Sequence, residues 1–386
     1  MKCGCTKLRS CPPNDPSERL MGRSILLYLW HSIVLIGVLT QSAAWAADPS
    51  APFQIVKRSQ LLMGTLVQVT AIGETEQVAG LAVSAGLAEI RRLEMLLSAW
   101  IPTSEISQIN AAAGLKAVTV SPETLAILKW SLEVARLTDG AFNVAIGPAV
   151  DAWNLTESPR MPDEAELARL RPLVDLSYLQ LNERAKTVFL AQPQMRIDIG
   201  GIGKGFAADH AVDAMQRAGA SAGVVALSGD IKTFGTMPDG QPFLFGIRHP
   251  RAEGALLARV ELHNEAISTA GDYERFFEKD GVRYHHILDP RTLQPARACQ
   301  SVTIVARQGV MADGLDTGIF VLGPERGIKL VEQLPDVDAV IVDREGGVWI
   351  SSGLKDRVHR DLSSPEDSSD KSTSLTDLAQ SDHPRY

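Results

Sequence analysis

Cysteine is scarce in this chain. Three of its four cysteines (Cys3, Cys5 and Cys11) stand upstream of an N-terminal apolar run, and only Cys299 lies beyond it. Once that N-terminal stretch is gone, no internal disulfide can form in any compartment. Long hydrophobic runs are missing too. The most apolar stretch, Ile25 to about Thr40, is interrupted by His31 and falls short of the roughly 20 residues a spanning helix needs. Lys2, Lys7, Arg9, Arg19 and Arg23 precede it, and Ala44-Trp45-Ala46 follows. Basic residues, an apolar run and an A-x-A site are the order of a cleavable export signal. Residues 1–47 are therefore expected to be an export signal, with a retained anchor as the alternative. An exported, periplasmic protein follows, attached to the inner membrane only if that segment is kept.

Excess positive charge is also absent. The formal net charge is −8, and it becomes −11 when residues 1–47 leave with five basic and two acidic residues. That balance argues against nucleic acid and against an anionic membrane surface as partners. No internal repeat is visible. From about Asp361 the composition collapses to Ser, Asp, Thr, Gln and Pro, so residues 361–386 are expected to be a disordered tail. One folded domain over residues 48–360 remains.

Within that domain, Leu61–Thr70 alternates like a strand, and Glu76–Leu97 carries a helical apolar period. Ser104 is placed to cap a short helix, and Ser121 with Pro122 to open a longer one over residues 121–137. A small helix near Asp163–Leu170 and a hairpin around Leu179–Leu190 follow. Later strands are expected at Gly223–Leu227, Phe243–Ile247, Ser301–Ala306, Val337–Val342 and Val348–Ser351, with a turn at Lys279-Asp280-Gly281. Strands and helices alternate irregularly, with hairpins between. This is an α+β pattern of mixed, largely antiparallel sheets, not a doubly wound parallel sheet.

The stretch that organises the chain is Arg196-Ile197-Asp198-Ile199-Gly200-Gly201-Ile202-Gly203-Lys204-Gly205. A β-leaning run precedes it and an Ala-rich helical pattern follows, so it reads as strand, glycine turn, helix. Its glycines leave the backbone free to adopt positive φ and to approach a ligand, and the amides opening the helix attract anions. It lacks both common phosphate fingerprints. Asp198 stands where a P-loop needs its first glycine, and Phe206 breaks G-x-G-x-x-G. The alternatives are a phosphate-binding turn, with Lys204 meeting a diphosphate, or a tight turn with a solvated lysine.

Two further groups carry possible chemistry. Asp313, Asp316 and Thr317 share one helical face and offer hard oxygens suited to Mg2+; acids favouring a helix dipole are the simpler account. His285 and His286 are adjacent on a strand and point to opposite faces, so one reaches a site while the other packs.

Taken together, these motifs resemble the ApbE family of FAD:protein FMN transferases. The resemblance runs from about Met63 to Ile350. It is carried by Met63-Gly64-Thr65, Ser98-Ala99-Trp100, Ser104-Glu105-Ile106-Ser107, Gly140-Ala141-Phe142-Asn143, Asp198 to Gly205, and Ser228-Gly229-Asp230-Ile231. Further on come Ile267-Ser268-Thr269, Gly271-Asp272-Tyr273, His285 to Pro290, and Ala312-Asp313 with Thr317. It implies an ApbE-like, T-fold-like architecture. It also implies a reaction in which FAD is split at its pyrophosphate, FMN is joined through a phosphoester to a threonine of an acceptor protein, and AMP is released. Met63, Trp100, Ala141, Phe142, Asn143, Asp198, Lys204 and Ile287 would line the FAD site. Mg2+ would be held by the Gly201 carbonyl, Asp313 and Thr317, with Asp316 beside them. His285 or His286 would position or deprotonate the acceptor threonine, and the acceptor would belong to an exported or membrane redox complex. Asn143 stands where the family commonly has Asp, and residues 41–52 contain no cysteine for a lipid anchor. Mg2+-dependent hydrolysis of FAD, with water replacing the threonine, and FAD binding without turnover are the competing readings.

Overall fold

An eight-stranded, wholly antiparallel sheet forms the frame of the protein in the computed structural model, which describes residues 53–360. The expected export signal and tail lie outside the described residues. Across the sheet the strands run Gln54–Leu62, Thr65–Gly73, Ala222–Leu227, Asp230–Phe234, Ala266–Gly271, Cys299–Ala306, Val337–Asp343 and Val348–Ile350. The α+β expectation holds. No helix among the described residues is long and apolar enough to cross a membrane.

The first two strands correct the sequence reading. Leu61–Thr70 is not one strand, because Met63 and Gly64 both have positive φ (52° and 69°). They form a two-residue turn with Leu62 paired to Thr65. The Met63 amide is held in that turn by Glu94 Oε1, 2.5 Å away on the helix Glu76–Leu97. A second tight turn, Ser228-Gly229, with Ser228 at φ 59°, joins Leu227 to Asp230. It sets Asp230 at the start of a central strand.

Three helices start where their caps predict. Thr75 accepts from the Val78 amide, Ser104 from Ser107 and Ser121 from Thr124, each stabilising its helix by about 1 kcal/mol. One face of the sheet buries against helices Glu76–Leu97, Gly203–Arg217 and Gly309–Leu322 through Val67, Val69, Val225, Val302 and Ile304. Alternation along the strands sends Ile72, Ala226, Ile267 and Val305 to the opposite face. There they meet a three-stranded sheet of Phe243–Arg248, Leu256–Leu262 and Val358–Arg360. Cys299 is buried, and burial pushes its thiol up to about 12, so it is chemically quiet.

Candidate active site

Two glycine-opened helices, Gly203–Arg217 and Gly309–Leu322, meet near their N-terminal ends, and neither is capped by its own preceding side chain. Each is capped by the other. Asp209 accepts from the Gly309 and Val310 amides at 2.8 and 2.9 Å. Asp313 accepts from the Gly205 amide at 2.8 Å. The approach is too close for side chains, since a Cβ on Gly205 would sit 2.1 Å from the Gly309 carbonyl oxygen. This corrects the reading of the glycine turn. None of Gly200, Gly201, Gly203 and Gly205 has positive φ; what position 205 needs is the missing Cβ. A second correction concerns the acids. The helix begins at Gly309, a turn before Asp313, so first-turn dipole attraction does not account for Asp313 or Asp316.

Their true setting is a buried cluster. Asp230, Asp313 and Asp316 each place a carboxylate oxygen within 4.8 Å of the others, and all three are buried. Lys204 donates to Asp230 Oδ2. Burial alone would depress that ammonium, but Asp230, Asp313 and Asp316 outweigh it and hold its pKa above the usual lysine value. Lys204 is thus committed to a carboxylate, whereas the sequence reading gave it to a diphosphate. Ser268 Oγ lies 2.5 Å from Asp230 Oδ1 and 2.6 Å from Asp316 Oδ2. One hydroxyl has one proton, so a carboxyl proton must serve one of these contacts. Burial and mutual repulsion supply it by raising both Asp313, to about 7, and Asp316.

One ammonium and one carboxyl proton still leave a negative charge among the three buried acids, and the donors are all hard oxygens. A divalent cation such as Mg2+ fits that set. Thr317 Oγ1 lies beside Asp316, 3.1 Å from its Oδ1, and 3.0 Å from where a Gly201 Cβ would sit. The expected ligands Gly201, Asp313, Asp316 and Thr317 are therefore brought together, and Asp230 and Ser268 join them. Sequence reasoning assigned no role to those last two. The signal was a polar residue on the core-facing register of an apolar strand: Ser268 between Ile267 and Thr269, and Asp230 directly after the turn.

The histidines separate clearly. His285 Nε2 lies 2.7 Å from the Ala296 carbonyl oxygen, and its Nδ1 accepts from the Ile287 amide at 3.3 Å. Both ring nitrogens are thereby occupied, so His285 is a structural residue and not the expected catalytic candidate. His286 Nδ1 is buried with no hydrogen-bond partner. Burial first, then the charges of Arg275 and Lys204 among others, lower its pKa to about 3. It is a neutral imidazole with a free nitrogen.

The expected flavin-site residues divide as well. Met63 reaches the glycine turn, with its Cε 3.9 Å from where a Gly203 Cβ would be, and Phe142 lies 3.5 Å from the Cβ position of Gly201. Asp198 accepts from the Gly200 amide at 2.6 Å and so shapes that turn. Ala141, Phe142 and Ile287 are buried, while Trp100 is 69% exposed. The Asn143 side chain is spent on backbone, accepting from Ala145 and donating to Val174. A cleft lined by Ala99, Ser107, Asn110, Ala111 and Arg196 runs between the Trp100 loop and the stretch leading to Asp198. Asn110 holds its floor by bonding both the amide and the carbonyl of Ile197.

Comparison with known proteins places the chain in a family. The model of the ApbE family matches residues 63–341. An FAD:protein FMN transferase of Treponema pallidum is 35% identical over 349 residues, covering 85% of this chain and 95% of its own. One from Klebsiella pneumoniae is 32% identical, covering 78% of this chain and 92% of its own. Among solved structures, the ApbE protein of Thermotoga maritima superposes with a TM-score of 0.73 at 30% identity, over 80% of this chain and 100% of that one. The flavin transferase ApbE of Vibrio cholerae gives 0.71 at 27% identity, over 79% of this chain and 100% of that one. The glycine turn and the carboxylate cluster both fall inside the matched span, and this chain belongs to the ApbE family.

Proposed function

We propose that this protein is an FAD:protein FMN transferase that moves FMN from FAD to a threonine hydroxyl of an acceptor protein. The names of its relatives support flavin transfer. The observation that carries the finer reading is an oxygen-donor cluster bound to Lys204, with a neutral, unpartnered histidine close enough to feel that lysine's charge. In the reaction the threonine Oγ attacks the phosphorus of the FMN half of FAD. The bond from that phosphorus to the bridging oxygen breaks, and AMP leaves with the electron pair. His286 Nδ1, neutral and without another partner, is the nitrogen that accepts the hydroxyl proton. Asp313, Asp316, Thr317 and the Gly201 carbonyl would hold Mg2+, which when bound offsets charge on the diphosphate and the leaving phosphate. Ser268 and Lys204 keep Asp230 and Asp316 in register for that task. The order of basic, apolar and small residues at the N-terminus supports action outside the cytoplasm, on an acceptor of an exported or membrane redox complex.

Mass spectrometry tests this on an acceptor domain incubated with the protein, FAD and Mg2+, with EDTA and Asp313→Ala controls. The expected result is a metal-dependent gain of one FMN on a threonine. AMP and free FMN with an unmodified acceptor would indicate hydrolysis instead. Intact FAD in every sample would leave a flavin-binding protein.

A further inference from the structure

The commitment of Lys204 to Asp230 leaves the diphosphate of FAD without its expected cation. We propose that Arg275 binds the diphosphate of FAD, a contact that rests on the reading of this site as an FAD site. The hairpin Phe276–Lys279 and Val282–His285 pairs Phe276 with His285. One step beyond, the His286 amide donates to the Arg275 carbonyl at 3.1 Å. Arg275 and His286 therefore face each other across the ladder and project from the same side of it, within reach of one another. The Arg275 charge is felt at the His286 ring, as is that of Lys204. On the reading that His286 meets the acceptor hydroxyl, the guanidinium lies on the side of the hairpin that faces the reacting diphosphate.

Arg275 is exposed and has no side-chain partner among the described residues. Its neighbours are committed. Arg251 forms a bidentate pair with Asp272 at 2.7 and 2.6 Å. Arg283 bridges Asp272 and Glu278, and Arg248 lies 3.5 Å from Glu274. Arg297 rests over the Tyr284 ring and donates to a backbone carbonyl. An arginine left over where every adjacent acid is already paired is set to meet an anion brought by a ligand. A guanidinium fork suits phosphate oxygens.

The test is FAD affinity of the full-length protein, read by quenching of flavin fluorescence, for wild type, Arg275→Met and Arg275→Lys at low and high NaCl. Arg275→Met is expected to weaken FAD binding by about ten- to a hundredfold at low salt. The deficit should shrink at high salt, and Arg275→Lys should recover part of the loss. Equal affinity of wild type and Arg275→Met overturns the proposal. So does a deficit that is independent of salt and not eased by lysine, which would mark a steric role. If wild type does not bind FAD at all, the reading of the site fails instead.

Discussion

The two helix starts at Gly203 and Gly309 use one device with opposite consequences. Each lacks its own cap, and each takes a carboxylate from the other helix. Asp209 spends both oxygens on the Gly309 and Val310 amides, with Lys232 Nζ 3.9 Å away. Asp313 spends one oxygen on Gly205 and sits among Asp230, Asp316, Ser268 and Thr317. Its surplus charge is the beginning of a metal site. What separates a structural carboxylate from a functional one here is the company it keeps, because its local hydrogen bond is the same.

The harshest way to break the pair is to remove the space they share. Gly205→Ala puts a methyl group 2.1 Å from a carbonyl oxygen, so both caps must part. A loss of at least about 3 kcal/mol in urea unfolding is expected, or failure to fold. Asp313→Asn sharpens the contrast, since the amide oxygen still accepts from Gly205 while the charge is gone. Metal-dependent AMP release should fall by at least about a hundredfold, with a Tm equal to or above that of wild type as repulsion with Asp230 and Asp316 is relieved.

The histidines extend the same contrast. His286→Gln should lower transfer by about a hundredfold or more with little change in Tm. His285→Ala should lose about 1–3 kcal/mol of stability by orphaning the Ala296 carbonyl and the Ile287 amide. A stability loss confined to His286→Gln would invert the assignment. Asp209→Ala should cost about 1–2 kcal/mol, measured by denaturant, with FAD affinity nearly kept.

The smallest effect is in pH. Asp313 is raised to about 7 by burial and repulsion, so the metal-free native state holds a proton that the unfolded chain has released above about pH 4. With more protons bound in the native state, stability must fall as pH rises from about 4 to 7. Added Mg2+ should restore it above pH 7. A metal-free Tm that rises across that window would contradict the cluster.

Much of the frame was legible because its signals are local. The caps at Thr75, Ser104 and Ser121, the helical period over Glu76–Leu97 and the Lys279-Asp280-Gly281 turn each act within a few residues. The Met63-Gly64 turn was missed for the converse reason. Its flanks alternate in phase on both sides, and the Met63 amide is held in the turn by the distant carboxylate of Glu94. Likewise the glycines of the central turn announced a special backbone, but the reason for Gly205 lies in Gly309, on another helix.

The residues alone specified the α+β class, the starts of the side-chain-capped helices and the chemical types gathered in the family motifs, because propensity, capping and periodicity are short-range. They left open which histidine is free, what Lys204 meets and that Asp230 and Ser268 belong with Asp313. Those outcomes depend on the order of strands in the sheet, which sets Asp230 beside Ser268, and on the helix Gly309–Leu322 packed on it, which brings Asp316 to them. Burial then turns that proximity into raised pKa values and an affinity for cations. Both are properties of a shared low-dielectric neighbourhood, which no single stretch of chain possesses.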